Sequence, residues 1–165
     1  MRIMKTFEGY SDINIDLEEK ETKPVIEFLN KLLSNHFILM VKAFNFHWNM
    51  VGKDFAQAHK FFQDIYEGAF EKIDSIAERV RFLGGRPIST VKGYLDEADL
   101  KDCEDDITDI EEMYELILKD IEDTIVSIRK FLKEEDVDNG TTNFLEGLLD
   151  ETEKVAWLTR SHIKD

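Results

Sequence analysis

The sequence predicts an all-α protein, a four-helix bundle with a short extra helix in the crossover between the second and third helices. Its 165 residues are 42% hydrophobic and 35% charged, a balance typical of long amphipathic helices with solvated faces. Only two prolines and eight glycines occur, too few for a turn-rich β domain. Apolar residues recur at helical spacing through most of the chain, and its length fits one domain spanning residues 1–165.

The first two helices are predicted from apolar stripes bounded by breaking residues. Residues 1–22 are mixed and acidic, which indicates an N-terminal arm. Pro24 suits the first turn of a helix that runs to about Asn49. A second helix is expected over residues 54–83, because Gly84-Gly85 follows as a stop signal.

The second half of the chain predicts a crossover and two further helices. Residues 88–104 form the crossover, with a short helix at Val91–Glu97. The third helix should run from Ile107 to Glu134, and the fourth should begin near Thr141. Four helices with one long connection between the second and third match the ferritin-like arrangement.

Two histidines and two carboxylates are the candidate metal ligands. Asp74 and Glu78 are four residues apart, so they share a helix face. His47 ends the first helix and His59 begins the second. Acidic pairs decorate many helices and a single histidine is usually a packing residue, but imidazole and carboxylate together suit iron, zinc or manganese.

A motif of internal di-iron centres is missing from the chain. Four-helix di-iron proteins with the site inside one bundle use Glu-x-x-His pairs. The residues three positions before the four histidines are Leu33, Phe44, Ala56 and Thr159. The candidate ligands would therefore have to meet across a subunit interface if they form one site.

The order and spacing of these residues resemble the signature of the Dps proteins, the mini-ferritins known as DNA-binding proteins from starved cells. The matching segments are Asn45–Gly52, His59, Asp74–Arg79, Gly84-Gly85 and, near the end of the chain, Glu153–Trp157. The resemblance implies a homododecameric hollow shell with ferroxidase sites at its two-fold interfaces. In that pattern His47 and His59 of one subunit meet Asp74 and Glu78 of its partner.

The function implied by this resemblance is iron oxidation and storage. Fe²⁺ would bind at the four ligands, be oxidised by hydrogen peroxide or dioxygen, and be stored as ferric iron, which protects against oxidative damage. Iron is the expected metal, with zinc as a possible substitute. Two rivals stay open: a non-catalytic shell or DNA-compacting homologue with a vestigial metal site, and a monomeric helical protein that sequesters metal.

One position departs from the family pattern. The family usually has an acidic residue four positions after the second histidine, where this chain has Gln63. A neutral amide oxygen is a weaker ligand than a carboxylate, so we expect a weaker second metal position. Asp64 is adjacent, but it points about 100° away from Gln63 on a helix.

Charge and cysteine content bear on partners and location. The chain has 36 acidic and 21 basic residues, a formal net charge of −15 that repels nucleic acid and attracts cations. We therefore expect no DNA binding, and no apolar run approaches a membrane span. Cys103 is the only cysteine, which favours a reducing, cytoplasmic setting.

Overall fold

The computed structural model describes residues 13–103 and 106–163. Residues 1–12, most of the predicted arm, lie outside this part of the chain. Within it, the regular secondary structure consists of four long helices and one short helix, as predicted. They are α1 (Glu19–Asn49), α2 (Phe55–Phe82), α3 (Val91–Glu97), α4 (Ile110–Glu134) and α5 (Asn139–Ile163).

The start of α1 differs from the prediction. The helix begins at Glu19, so the last residues of the predicted arm are helical. The Glu18 backbone N–H donates to the Glu21 carboxylate at 2.7 Å, a capping contact that stabilises the earlier start. Pro24 therefore lies in the second turn instead of the first, where it has no N–H to give to the carbonyl of Lys20.

The other helix boundaries lie close to the predicted ones. The α2 helix is one residue shorter at each end than predicted, and α3 has the predicted bounds. The α4 helix begins after Asp109, whose side chain accepts from the Glu112 N–H at 2.9 Å. Before α5, Asp138 accepts from the Thr141 N–H at 2.9 Å, which starts that helix at Asn139.

The helices pack as two hairpins. α1 packs along α2 and α4 along α5, while α1 also contacts α3 and α4. Buried side chains form two clusters, one at each end of the bundle. The cluster near the α1–α2 turn includes Ala43, Phe46, Ala58, Phe62, Met113, Ile117 and Ala156. The cluster at the far end includes Leu29, Leu33, Ile76, Val80, Ile128 and Leu145.

Two buried asparagines of α1 hold the crossover in place. The Asn30 side chain accepts from the Ile88 N–H at 2.8 Å and donates to the Arg86 carbonyl at 3.3 Å. The side-chain oxygen Oδ1 of Asn35 accepts from the N–H groups of residues 99 and 100, at 2.8 and 3.1 Å. Both ends of the crossover are therefore bonded to the interior side of α1. None of the helices described is long and apolar enough to cross a membrane.

Candidate metal centre

His47 and His59 meet where α1 turns into α2. Their rings stack with centroids 3.7 Å apart and planes 20° from parallel. The Nδ1–H of His47 donates to the His59 carbonyl at 2.8 Å, and the Nδ1–H of His59 donates to the His47 carbonyl at 2.9 Å. We call this pair, with its two hydrogen bonds, the histidine half-site.

The reciprocal hydrogen bonds determine which ring nitrogens can bind a metal. A carbonyl oxygen only accepts, so Nδ1 of each neutral ring must carry the proton. The lone pair then lies on Nε2, the nitrogen left for coordination. A hydrogen bond from the other nitrogen is the usual way in which proteins orient a metal-binding histidine. Contacts within one chain thus leave Nε2 of each ring as the nitrogen that could coordinate a metal.

Aromatic side chains surround the histidine half-site. Phe55 stacks on the His59 ring at 4.9 Å, and Tyr66 approaches the His47 ring edge-on at 5.2 Å. His47 is only 8% exposed, and His59 is half-buried. Because both rings are held by packing as well as hydrogen bonds, their orientation does not depend on a bound metal.

Asp74 and Glu78 lie at the other end of α2, and we call them the carboxylate half-site. Both are exposed, and they project from the same side of the helix. Neither forms a hydrogen bond or ion pair with another described residue. Anionic oxygens exposed in this way are available to a hard cation or to a group from another chain.

The structure brings the two histidines together but leaves the carboxylates apart from them. His59 and Asp74 are separated by fifteen residues of continuous helix, which is about 22 Å along the axis. Within residues 13–103 and 106–163, no group of three or more His, Cys, Asp or Glu side chains is arranged to hold a metal. One chain therefore supplies two incomplete halves of the predicted site.

Gln63 lies on α2 one turn after His59. Its Nε2 donates to the Oε1 atom of Glu67 at 2.7 Å. The neighbouring Asp64 is exposed and forms an ion pair with Lys60 on a different side of the helix. Asp64 is thus engaged away from the histidine half-site, in agreement with the direction predicted from the helix repeat.

Comparison with known proteins identifies the family. The model of the ferritin-like domain family matches residues 26–165. DNA protection during starvation protein 2 of Bacillus anthracis is 36% identical over 86% of this chain and 97% of its own length. The chain belongs to the Dps proteins of the ferritin-like family.

The chain is also similar to a second curated protein and to a solved Dps structure. A low temperature-induced protein of Nostoc sp. (strain PCC 7120) is 39% identical over 92% of this chain and 87% of its own length. The crystal structure of a Dps protein from Bacillus brevis superposes with a TM-score of 0.82 at 30% identity, covering 90% of this chain and all of that one. The ferritin-like fold predicted from the sequence is thereby confirmed.

A buried ion pair between α1 and α4 escaped the sequence analysis. Lys42 Nζ donates to Asp120 Oδ2 at 2.5 Å, with side chains only 4% and 7% exposed. Burial raises the pKa of Asp120, although the hydrogen bond and charge of Lys42 act in the opposite direction. The sequence does contain one signal, because Asp120 is a charged residue among the core positions of α4 between Ile117 and Thr124. Its partner Lys42 lies on α1, and that pairing depends on tertiary packing.

Proposed function

We propose that this chain is a subunit of a mini-ferritin that binds Fe²⁺ between two copies of itself, oxidises it and stores the ferric product. The observation that carries this proposal is the division of ligands along α2. Two histidines whose Nδ1 atoms are hydrogen-bonded lie at one end, His47 on α1 and His59 on α2. At the other end lie two carboxylates that have no hydrogen bond or ion pair with another described residue. A second chain running in the opposite direction would complete both sites at once.

The outward face of α2 favours such a pairing. Successive residues of a helix are rotated by 100° about its axis, so six side chains between His59 and Glu78 project within an arc of about 100°. They are His59, Gln63, Glu67, Phe70, Asp74 and Glu78. Phe70 lies near the middle of this stripe and is 65% exposed, an unusual state for a large apolar side chain between charged groups. Contact between two such stripes would bury Phe70 and place each carboxylate half-site beside the partner's histidine half-site.

The proposed reaction follows from the ligand types. Each Fe²⁺ gives up one electron, and hydrogen peroxide accepts two electrons and two protons to form two waters. Two Fe²⁺ ions therefore reduce one hydrogen peroxide to two waters. With dioxygen as the oxidant, two Fe²⁺ ions and two protons from solvent convert one O₂ to one hydrogen peroxide. Asp74 and Glu78 would stabilise the additional positive charge of Fe³⁺ by their negative charge, while His47 and His59 fix the position of the ion.

The physiological result would be iron storage without hydroxyl radical formation. Fe²⁺ and peroxide would be consumed together at the site, and Fe³⁺ would be retained inside a hollow shell of twelve chains, the assembly implied by the family resemblance. DNA compaction is not part of the proposal, because the net charge of −15 opposes contact with phosphate groups.

Stopped-flow absorbance with anaerobic Fe²⁺ tests the proposal. We expect rapid oxidation by hydrogen peroxide or dioxygen in the assembled wild type, and loss of this phase in His47→Ala/Asp74→Ala. A matched control, His162→Ala/Glu71→Ala, removes one histidine and one carboxylate outside the proposed site and should keep the phase. Wild-type oxidation no faster than that of free Fe²⁺ would favour the non-catalytic shell.

Sedimentation analysis tests the assembly independently. We expect a closed oligomer for the wild type and for both double variants, since the substitutions remove ligands and not the apolar contact at Phe70. A mass equal to one chain would contradict the interface site and favour a monomer that sequesters metal. Zinc, the substitute allowed by the sequence, should slow iron oxidation by competing for the same ligands.

A further inference from the structure

We infer that Gln63 binds metal through its side-chain carbonyl oxygen and that Glu67 is the positioning residue that orients it. The inference rests on the proposed function and concerns the second metal position, nearest His59. There this chain has a neutral amide at the place where an acidic ligand is usual in the family. The contact between Gln63 and Glu67 suggests how an amide can serve in its place.

The hydrogen bond determines the orientation of the amide. A carboxylate oxygen only accepts, so the group of Gln63 that faces Glu67 must be its NH₂. The amide oxygen of Gln63 is then directed away from Glu67. Since Glu67 follows Gln63 in α2 and His59 precedes it, the free oxygen lies on the side of His59.

Helix geometry places the three side chains in one row. His59, Gln63 and Glu67 follow each other at intervals of four residues, so each lies one turn beyond the last on nearly the same face. Side chains on a helix lean toward its N-terminus, so Glu67 reaches back over Gln63 and Gln63 reaches toward His59. His59, at the start of this row, keeps its Nε2 atom for a metal because its Nδ1–H is bonded to the His47 carbonyl.

The charge of Glu67 improves the amide as a ligand. A hydrogen bond from the NH₂ group to an anion polarises the amide and increases the negative partial charge on its oxygen. The carboxylate thus acts on the metal through Gln63. This is the role that outer-shell carboxylates have behind metal-binding histidines, where their removal costs about 10- to 100-fold in metal affinity.

Co²⁺ titration of the assembled, metal-free protein tests this inference, followed by calorimetry and by the visible absorption of the bound ion. We expect two binding steps per site in the wild type. Glu67→Ala should weaken the second step by about tenfold or more and leave the first unchanged. Glu67→Gln should have a smaller effect, because a neutral amide oxygen still accepts from Gln63.

Three matched variants separate orientation from general charge effects. Asp64→Ala also removes a negative charge from the same turn of α2, and it should alter both steps little. Gln63→Leu should abolish the second step and its absorption band. Gln63→Glu should restore tight binding of the second ion, and adding Glu67→Ala to it should then change nothing.

Several outcomes would overturn the inference. The wild type could bind a single Co²⁺ per site, or Glu67→Ala could weaken both steps equally. Glu67→Ala and Asp64→Ala could give the same result, or the second step could survive Gln63→Leu. Failure of the proposed function looks different. In that case the wild type would bind no Co²⁺ at His47, and Fe²⁺ oxidation would not be accelerated.

Discussion

The two ends of α2 are built in opposite ways. At its beginning, His59 is stacked, hydrogen-bonded and surrounded by aromatic side chains. Toward its end, Asp74 and Glu78 are exposed and have no described partner. The chain by itself fixes the two imidazole rings and leaves the two carboxylates exposed.

This difference has a physical reason. A neutral imidazole can be packed against aromatic rings at little cost once its polar nitrogen is bonded. A carboxylate buried without a counter-charge would lose several kcal/mol of solvation, and both Asp74 and Glu78 are exposed to water in the single chain. The comparison therefore predicts that the histidine half-site contributes to folding and that the carboxylate half-site contributes to function alone.

The largest expected effect comes from combining the two halves in different chains. His47→Ala/His59→Ala and Asp74→Ala/Glu78→Ala should each be inactive in Fe²⁺ oxidation. When the two variants are unfolded together and refolded at equal amounts, about a quarter of the wild-type sites should be intact, because a mixed two-fold dimer has one complete site. Stopped-flow rates per chain measure this fraction. A mixture as inactive as its components would contradict a site shared between two chains.

The next effect concerns the buried ion pair between Lys42 and Asp120. Lys42→Ala leaves Asp120 buried without its counter-charge and should lower the free energy of unfolding by about 3–5 kcal/mol. Lys42→Met/Asp120→Leu should recover much of that loss. Near the carboxylate half-site, Arg79 and Asp138 are each 17% exposed, so Arg79→Met should cost less than Lys42→Ala. Denaturant unfolding at one protein concentration measures all four proteins, and equal losses for the single variants would contradict the expectation.

A third effect is a dependence of folding stability on pH, which is caused by a buried histidine located between the two half-sites. His36 lies in the middle of α1, where burial first of all lowers its pKa from 6.5 to about 4, with a smaller contribution from the charge of Lys72. His36 therefore binds a proton more readily in the unfolded chain than in the folded one. Its contribution to the free energy of unfolding is complete above pH 6.5 and is lost as the pH falls toward 4. The loss amounts to about 3 kcal/mol.

The variant His36→Gln isolates this contribution. Its free energy of unfolding should decrease less than that of the wild type between pH 7 and pH 4, since it lacks the titrating ring. Carboxylates that titrate in the same range affect both proteins and cancel in the difference. Parallel stability curves for the two proteins would show that His36 does not cause the dependence.

The smallest effect compares single ligands directly. His47→Ala removes a stacked ring and a hydrogen bond, so the metal-free protein should lose about 1–2 kcal/mol of stability. Asp74→Ala removes an exposed group and should change stability by less than about 0.5 kcal/mol. Thermal unfolding at fixed protein concentration distinguishes the two. Similar losses would mean that the carboxylate half-site is also part of the folded framework.

The sequence predicted the fold well because most of its signals are local. Apolar periodicity and breaking residues located α2 within one residue at each end and gave α3 its bounds. The start of α1 was placed too late because the contact between Glu18 and Glu21 belongs to an acidic segment that was interpreted as an arm.

The candidate site was less accessible to sequence reasoning. His47 and His59 are twelve residues apart across a turn, and only the path of the hairpin determines that their rings stack. The pairing of Lys42 with Asp120 joins helices that are far apart in sequence, so no local pattern contains it. In contrast, the contact of Gln63 with Glu67 follows the four-residue helical spacing and could have been inferred from the sequence.

The two asparagines that hold the crossover have a consequence for how the molecule opens. The amides of Ile88, Asp99 and Leu100 donate to two side chains of α1 that are themselves buried in the bundle. Exchange of these amides with solvent requires α1 to separate from the bundle, so it should proceed by global unfolding and not by a local fluctuation. The amides at the ends of the crossover would then be as protected from exchange as those of the helical core. The two hairpins would unfold together, in one cooperative transition.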